Sequence, residues 1–146
     1  MTKTRPIPPT LRFVNPLSKF FIRLGIGSRN DYLLGVYGRK TGSLYSTPVS
    51  LVIQGNQRFL VAPFGEVNWV RNARASGQVI LSRRGQQEVV KLHELNPSEG
   101  APILKTYLAM RPFTAPYFDN RPDAPVEAFE QEASNHPVFR ISPSAE

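Results

Sequence analysis

Cysteine is absent from the 146-residue sequence, and histidine occurs only as His93 and His136. Thiol nucleophiles, disulfides and thiolate metal sites are therefore excluded, as is a histidine-rich metal centre, so no metal is expected. No apolar run approaches the roughly 18 residues needed to cross a bilayer, and the first residues lack an apolar core followed by a small-residue cleavage site. The expectation is a cytoplasmic protein that touches a membrane at most peripherally. Acidic residues are scarce at the front: residues 1–87 hold 13 Lys/Arg against only Asp31 and Glu66, a net +11, whereas residues 88–146 hold 5 Lys/Arg against 9 acids, a net −4. A basic front segment implies an anionic partner, which charge alone leaves open between nucleic acid, acidic lipid and a cofactor bearing phosphate and carboxylate.

The length suits one domain, 1–146, able to bury roughly two thirds of the surface of its unfolded chain. Residues 1–9 are polar and proline-rich and read as an extended arm. Asn15-Pro16 has the form of an N-cap followed by proline at the first helical position. It opens an amphipathic helix over 15–25, with Leu17, Phe20, Phe21 and Leu24 on one face, Lys19 and Arg23 on the other, and Gly25 as the stop. Such a helix fits either peripheral membrane contact or closure of the open end of a core.

From residue 31 onward short β-type segments dominate: 32–37, 47–54, 57–62, 78–82 and 88–95, with 136–141 as a returning last strand. Gly55-Asn56 and Arg84-Gly85 mark tight reversals, so neighbours pair antiparallel. The resulting class is mainly β (α+β), a compact barrel or sandwich with short flanking helices. One helix, 67–76, is inserted between the third and fourth strands and stops at Gly77. Another starts at the capping box Asn96-Pro97-Ser98-Glu99 with Ala101, Leu104 and Leu108 as its packing stripe. A short helix follows at 126–133.

Two stretches carry chemistry. Gly38-Arg39-Lys40-Thr41-Gly42 lies between two strands and is followed by Thr47-Pro48. Glycines allow close approach of the backbone, and Arg39, Lys40 and the Thr41 hydroxyl suit phosphate or carboxylate, although a basic hairpin tip taken alone is more often just solvated. In Ala62-Pro63-Phe64-Gly65-Glu66-Val67-Asn68-Trp69-Val70-Arg71-Asn72, strand gives way to helix and first-turn N–H groups become free for an anion or a ring carbonyl. Trp69 and Asn72, three apart, share a helix face there, and Arg71 and Arg74 either add positive potential or solvate the helix exterior.

Taken in order, Gly38 to Gly42, Thr47-Pro48-Val49, and Trp69-Val70-Arg71-Asn72-Ala73-Arg74-Ala75 resemble the deazaflavin-dependent nitroreductase and quinone reductase family over about residues 31–95, and the closing His136-Pro137-Val138-Phe139-Arg140 is similar in style. The resemblance implies a split β-barrel of the FMN-binding, flavin-reductase type that binds coenzyme F-420, an 8-hydroxy-5-deazaflavin with a phosphodiester and a polyglutamate tail. It places Arg39, Lys40 and Thr41 at the phosphate and tail carboxylates, Thr47, Pro48, Trp69 and Asn72 near the coenzyme, and the main chain of Ala62, Pro63 and Phe64 at the deazaflavin edge. Tyr45 stands where many relatives carry a further arginine, so the phosphate cradle is weaker or is completed by Arg71. Tyr107 and Tyr117 are candidates for the tyrosines that shape the substrate pocket, and the proton would come from water or from Tyr117.

The implied reaction is hydride transfer from the reduced coenzyme to a small hydrophobic, electron-poor acceptor: a quinone, an activated alkene or a nitroaromatic. The cofactor supplies the reactivity, which accounts for the lack of a triad or metal motif. FMN is the alternative cofactor. Two other functions are compatible with the residues: a non-catalytic barrel that holds deazaflavin, lipid or haem, and a basic nucleic-acid-binding barrel. The latter requires aromatics interleaved with Lys/Arg on a strand face, whereas these strands interleave aliphatics with neutral polar residues, so no nucleic acid is expected. Oligomeric state is left open.

Overall fold

The computed structural model describes residues 29–144. The arm 1–9 and the helix 15–25 expected from the sequence lie outside them. Six antiparallel strands, β1 (Asp31–Tyr37), β2 (Leu44–Gln54), β3 (Gln57–Val61), β4 (Gln78–Arg83), β5 (Gln86–Glu94) and β6 (Val138–Pro143), close a barrel in the order β1-β2-β3-β6-β5-β4. Helix α1 (Asn68–Ser76) joins β3 to β4. Helix α2 (Pro97–Met110), a 3-10 segment (Pro112–Tyr117), a short 3-10 turn (Val126–Ala128) and helix α3 (Phe129–Asn135) form the connection from β5 to β6.

Period-2 alternation sends Leu34 and Val36 of β1, Leu51 of β2, Leu60 of β3, Val79 and Leu81 of β4, Val90 of β5, and Phe139 and Ile141 of β6 into the lumen. Val70 and Ala73 of α1 join the same cluster, so this helix plugs the barrel. Its stop is the expected one, Gly77 at φ 75°, with its N–H returned to the Ala73 carbonyl. Val52, Phe59, Val61 and Val138 point outward yet are buried, because Ala101, Leu104 and Leu108 of α2 and Phe129 of α3 cover them. The capping box on α2 is complete: Asn96 Oδ1 accepts from the Glu99 N–H at 2.8 Å, and Glu99 Oε1 accepts from the Asn96 N–H at 3.2 Å.

Pairing along β2 is uneven. Its residues 44–50 pair with β1 on one side, but β3 joins the other side only from Leu51. Among the described residues a strand edge is thereby left open over 44–50, and a cavity forms there.

Candidate functional site

The cavity at this edge measures about 550 Å³, within the range of roughly 300–1,000 Å³ usual for small-molecule sites. Tyr45, Ser46, Thr47, Pro48, Val49 and Ser50 of β2 form one wall. Val61, Pro63, Phe64, Val67, Asn68 and Trp69, running from the end of β3 to the first turn of α1, form the second; Tyr107 and Phe113 form the third. Among the described residues, none of the lining side chains is formally charged. The rim is aromatic: Tyr45, Phe64 and Phe113 are each more than half exposed, and Phe64 meets the exposed Tyr117 ring edge-on at 4.7 Å.

The basic loop borders this cavity through Tyr45. A Cβ on Gly38 would sit 2.7 Å from Tyr45 Cε2, so only glycine lets that ring lie over the turn. Within the turn the Gly38 N–H donates to the Ser43 carbonyl at 2.7 Å and the Gly42 N–H to the Gly38 carbonyl at 2.9 Å. Thr41 Oγ1 accepts from the Ser43 N–H at 3.2 Å and lies 3.5 Å from the Tyr45 hydroxyl. Arg39 and Lys40 project to solvent. Among the described residues neither has a carboxylate partner, whereas Arg58, Arg74 and Arg111 are all paired with acids. A cation with no protein counter-charge is free to take an external anion.

Of the residues singled out in the sequence, Thr47, Pro48, Pro63, Phe64, Trp69 and Tyr107 meet around the cavity, while Arg39, Lys40 and Thr41 lie on the adjoining turn. Asn72 does not line it. This residue is buried and holds Arg39, accepting at Oδ1 from the Arg39 main-chain N–H at 3.0 Å and from Nη1 at 2.7 Å. Arg71 is exposed and away from the lining. Arg74 is held by both oxygens of Glu94 and, more weakly, by Glu66, which raises its pKa further above the ordinary arginine range. Tyr117 stays on the rim.

Ala62 is fully buried and its main chain is already engaged. Its N–H donates to the Pro137 carbonyl at 2.9 Å, and its own carbonyl accepts from the Gly65 N–H and lies 3.3 Å from His136 Nδ1. His136 in turn stacks on Phe118 at 4.2 Å, so the wall before Phe64 is clamped from behind. Free donors come one step later. No side chain caps α1, whose N-cap residue is Val67, and the first-turn N–H groups of Asn68 and Trp69 open beside the cavity.

Several participants carried no readable sequence signal. Ser50 Oγ donates to Asp31 Oδ1 at 2.8 Å and accepts from Arg111 Nε at 3.0 Å, while Arg111 Nη2 reaches Asp31 Oδ1 at 2.9 Å. This buried network lies behind the Ser50 and Tyr107 end of the cavity. Burial pushes the Tyr107 phenol up to about 12; the nearby Arg111 charge opposes the shift and that of Asp31 adds to it.

The sequence pattern of the F420H2-dependent quinone reductase family matches residues 24–120. No curated protein matches in sequence. Among solved structures, one described as an F420-H2 dependent reductase (FDR-A) superposes with a TM-score of 0.55 at 20% identity, covering 78% of this chain and 95% of that one. A chain described as a domain-swapped dimer gives 0.55 at 18% identity, over 91% and 99% of the two chains. HutZ, the heme storage protein from Vibrio cholerae, gives 0.53 at 14% identity over 90% of each. At these identities the structural likenesses establish the split-barrel fold, and the family pattern establishes membership.

Proposed function

The chain belongs to the F420H2-dependent quinone reductase family, and on that premise we propose that its open-edge cavity holds the head of coenzyme F-420, the basic turn holds the tail, and a neutral quinone-type acceptor is reduced beside it. As a family member the protein is an oxidoreductase whose cofactor is coenzyme F-420. The assignment of residues and of the acceptor rests on one observation: a cavity of about 550 Å³, whose lining among the described residues carries no charge, adjoins a turn whose Arg39 and Lys40 have no acidic partner among them either. That division suits a ligand with a flat uncharged head and a polyanionic tail.

When bound, the reduced coenzyme supplies a hydride from C5 of its deazaflavin. Everything else falls to the chain. Arg39 and Lys40 attract phosphate and carboxylate, with Thr41 shaping the turn and Asn72 fixing where the guanidinium sits. The open main-chain edge of β2 at Ser46 to Pro48 and the first-turn N–H groups of α1 offer hydrogen bonds to the polar edge of a ring system. Trp69, Pro48 and Pro63 give that ring flat apolar surface, and the aromatic rim of Phe64, Phe113 and Tyr117 admits a hydrophobic acceptor while excluding water. No helix among the described residues is long and apolar enough to cross a membrane. The segment 15–25 and this rim are the surfaces offered to a membrane-borne acceptor.

The test is to follow reoxidation of reduced coenzyme F-420 by menadione, with reduced FMN as the parallel cofactor. The expected result is saturable turnover with the deazaflavin well above the uncatalysed rate. Binding without any rate gain would favour the storage reading, and turnover only with FMN would overturn the cofactor assignment to this cavity.

A further inference from the structure

Tyr107 is 4% exposed, and it lies on the cavity wall contributed by α2. Its hydroxyl finds no hydrogen-bond partner among the described residues and is not one of the fully buried orphan atoms, and the residue itself lines the cavity. Burying a phenol without a partner costs free energy, which a ligand oxygen would recover. Behind it, one helical turn on, Arg111 is fixed by Asp31 and Ser50. This wall carries none of the groups assigned to the coenzyme, which sit on β2, on the 62–69 connection and on the Arg39 turn.

We propose that the Tyr107 hydroxyl is the hydrogen-bond donor for the carbonyl oxygen of the acceptor, with Arg111, positioned by Asp31 and Ser50, stabilising the negative charge that develops on that oxygen. The inference rests on the reading of the cavity given above and adds the subsite for the acceptor. In the balanced reaction the quinone gains two electrons and one hydrogen as hydride from the reduced coenzyme, which is oxidised, and one proton from water, to leave as hydroquinone. Tyr107 shares its proton with the new oxyanion and is restored from solvent, so it undergoes no net change. Because burial keeps the phenol protonated through neutral pH, it is a donor throughout. A donor aimed at a developing oxyanion in a dry site typically carries a factor on the order of 10² in rate.

Tyr107→Phe removes the hydroxyl and keeps the buried ring. Two measurements read the consequence. Without coenzyme, calorimetric titration compares menadione with 2-methylnaphthalene, which has nearly the same shape and no oxygen. The variant should bind menadione about 3- to 10-fold more weakly and 2-methylnaphthalene as the parent does. With reduced coenzyme F-420, menadione turnover should fall on the order of 10²-fold. Turnover with the N-methylacridinium cation, which takes a hydride and no proton, should stay within about twofold, since no oxyanion forms.

Equal losses on both acceptors, weakened coenzyme binding, or unchanged menadione binding and turnover would each overturn the assignment. A parent protein that fails to oxidise the reduced coenzyme with either acceptor would instead sink the reading of the cavity itself, so the two failures are separable. Circular dichroism melts of parent and variant confirm that a folded protein is being compared.

Discussion

Asn72 accepts both a main-chain and a guanidinium hydrogen bond from Arg39, 33 positions away, and so ties the first turn after β1 to the helix that plugs the barrel. One buried oxygen thereby sets both the turn and the direction of its cation. Asn72→Ala leaves two donors short of an acceptor and should cost roughly 1–3 kcal/mol of stability. Coenzyme affinity should fall in the same variant, because Arg39 loses its anchor. Asn72→Asp keeps the acceptor but adds a charge that competes with the anionic tail, so it should retain the melting temperature and still weaken binding. Thermal melts paired with equilibrium dialysis of the coenzyme check this; an Asn72→Asp protein that binds as tightly as the parent would dissociate the turn from the tail.

The two cations themselves make the next expectation. Arg39 and Lys40 are exposed and lack acidic partners among the described residues, so Arg39→Ala with Lys40→Ala should leave the fold intact. Each well-oriented contact removed should cost roughly 1–3 kcal/mol of coenzyme binding. The loss should shrink as salt rises, since screening already weakens the parent. A double variant that binds as the parent does at low salt would remove the turn from the site.

Much of this arrangement was legible in the sequence, and the remainder was not for identifiable reasons. Strand alternation and the turns at Gly55-Asn56 and Arg84-Gly85 placed five strands within a few residues, and Gly77 marked the end of α1. Strand β2 begins at Leu44 rather than at residue 47, because its first residues face a cavity instead of a core and show no hydrophobic alternation. The expected helix at 126–133 is a 3-10 turn followed by α3 ending at Asn135. Trp69 and Asn72 do lie on neighbouring turns, but helix spacing could not say that one lines the cavity while the other reaches back to Arg39. The pairing of Asp31 with Arg111 spans 80 positions and follows no local pattern. Arg111 meets Asp31 only because α2 packs on the outer face of the barrel.

An alkaline titration isolates Tyr107. Its folded pKa of about 12 lies above the unfolded value near 10.0, so its contribution to stability is fully present below pH 10 and is lost as pH rises through 12. Spectrophotometric titration of the folded protein should show a phenolate step near pH 12, and Tyr107→Phe should delete that step. A titration in which the variant loses an early step instead would place the Tyr107 phenol in water.

Trp69 separates ligand contact from packing because it does both. Its ring lines the cavity and lies 6.2 Å from Phe139 at a tilt of 52°, so one edge belongs to the core and another to the site. As the only tryptophan it reports without ambiguity, and saturating coenzyme should quench its emission after inner-filter correction. Trp69→Phe keeps an aromatic surface against Phe139 but leaves a small void, so it should cost about 1–2 kcal/mol of stability. Coenzyme affinity should fall as well, since flat area beside the ring system is lost. Quenching absent at saturation, together with a variant whose only defect is stability, would assign Trp69 wholly to the core and move the coenzyme away from the first turn of α1.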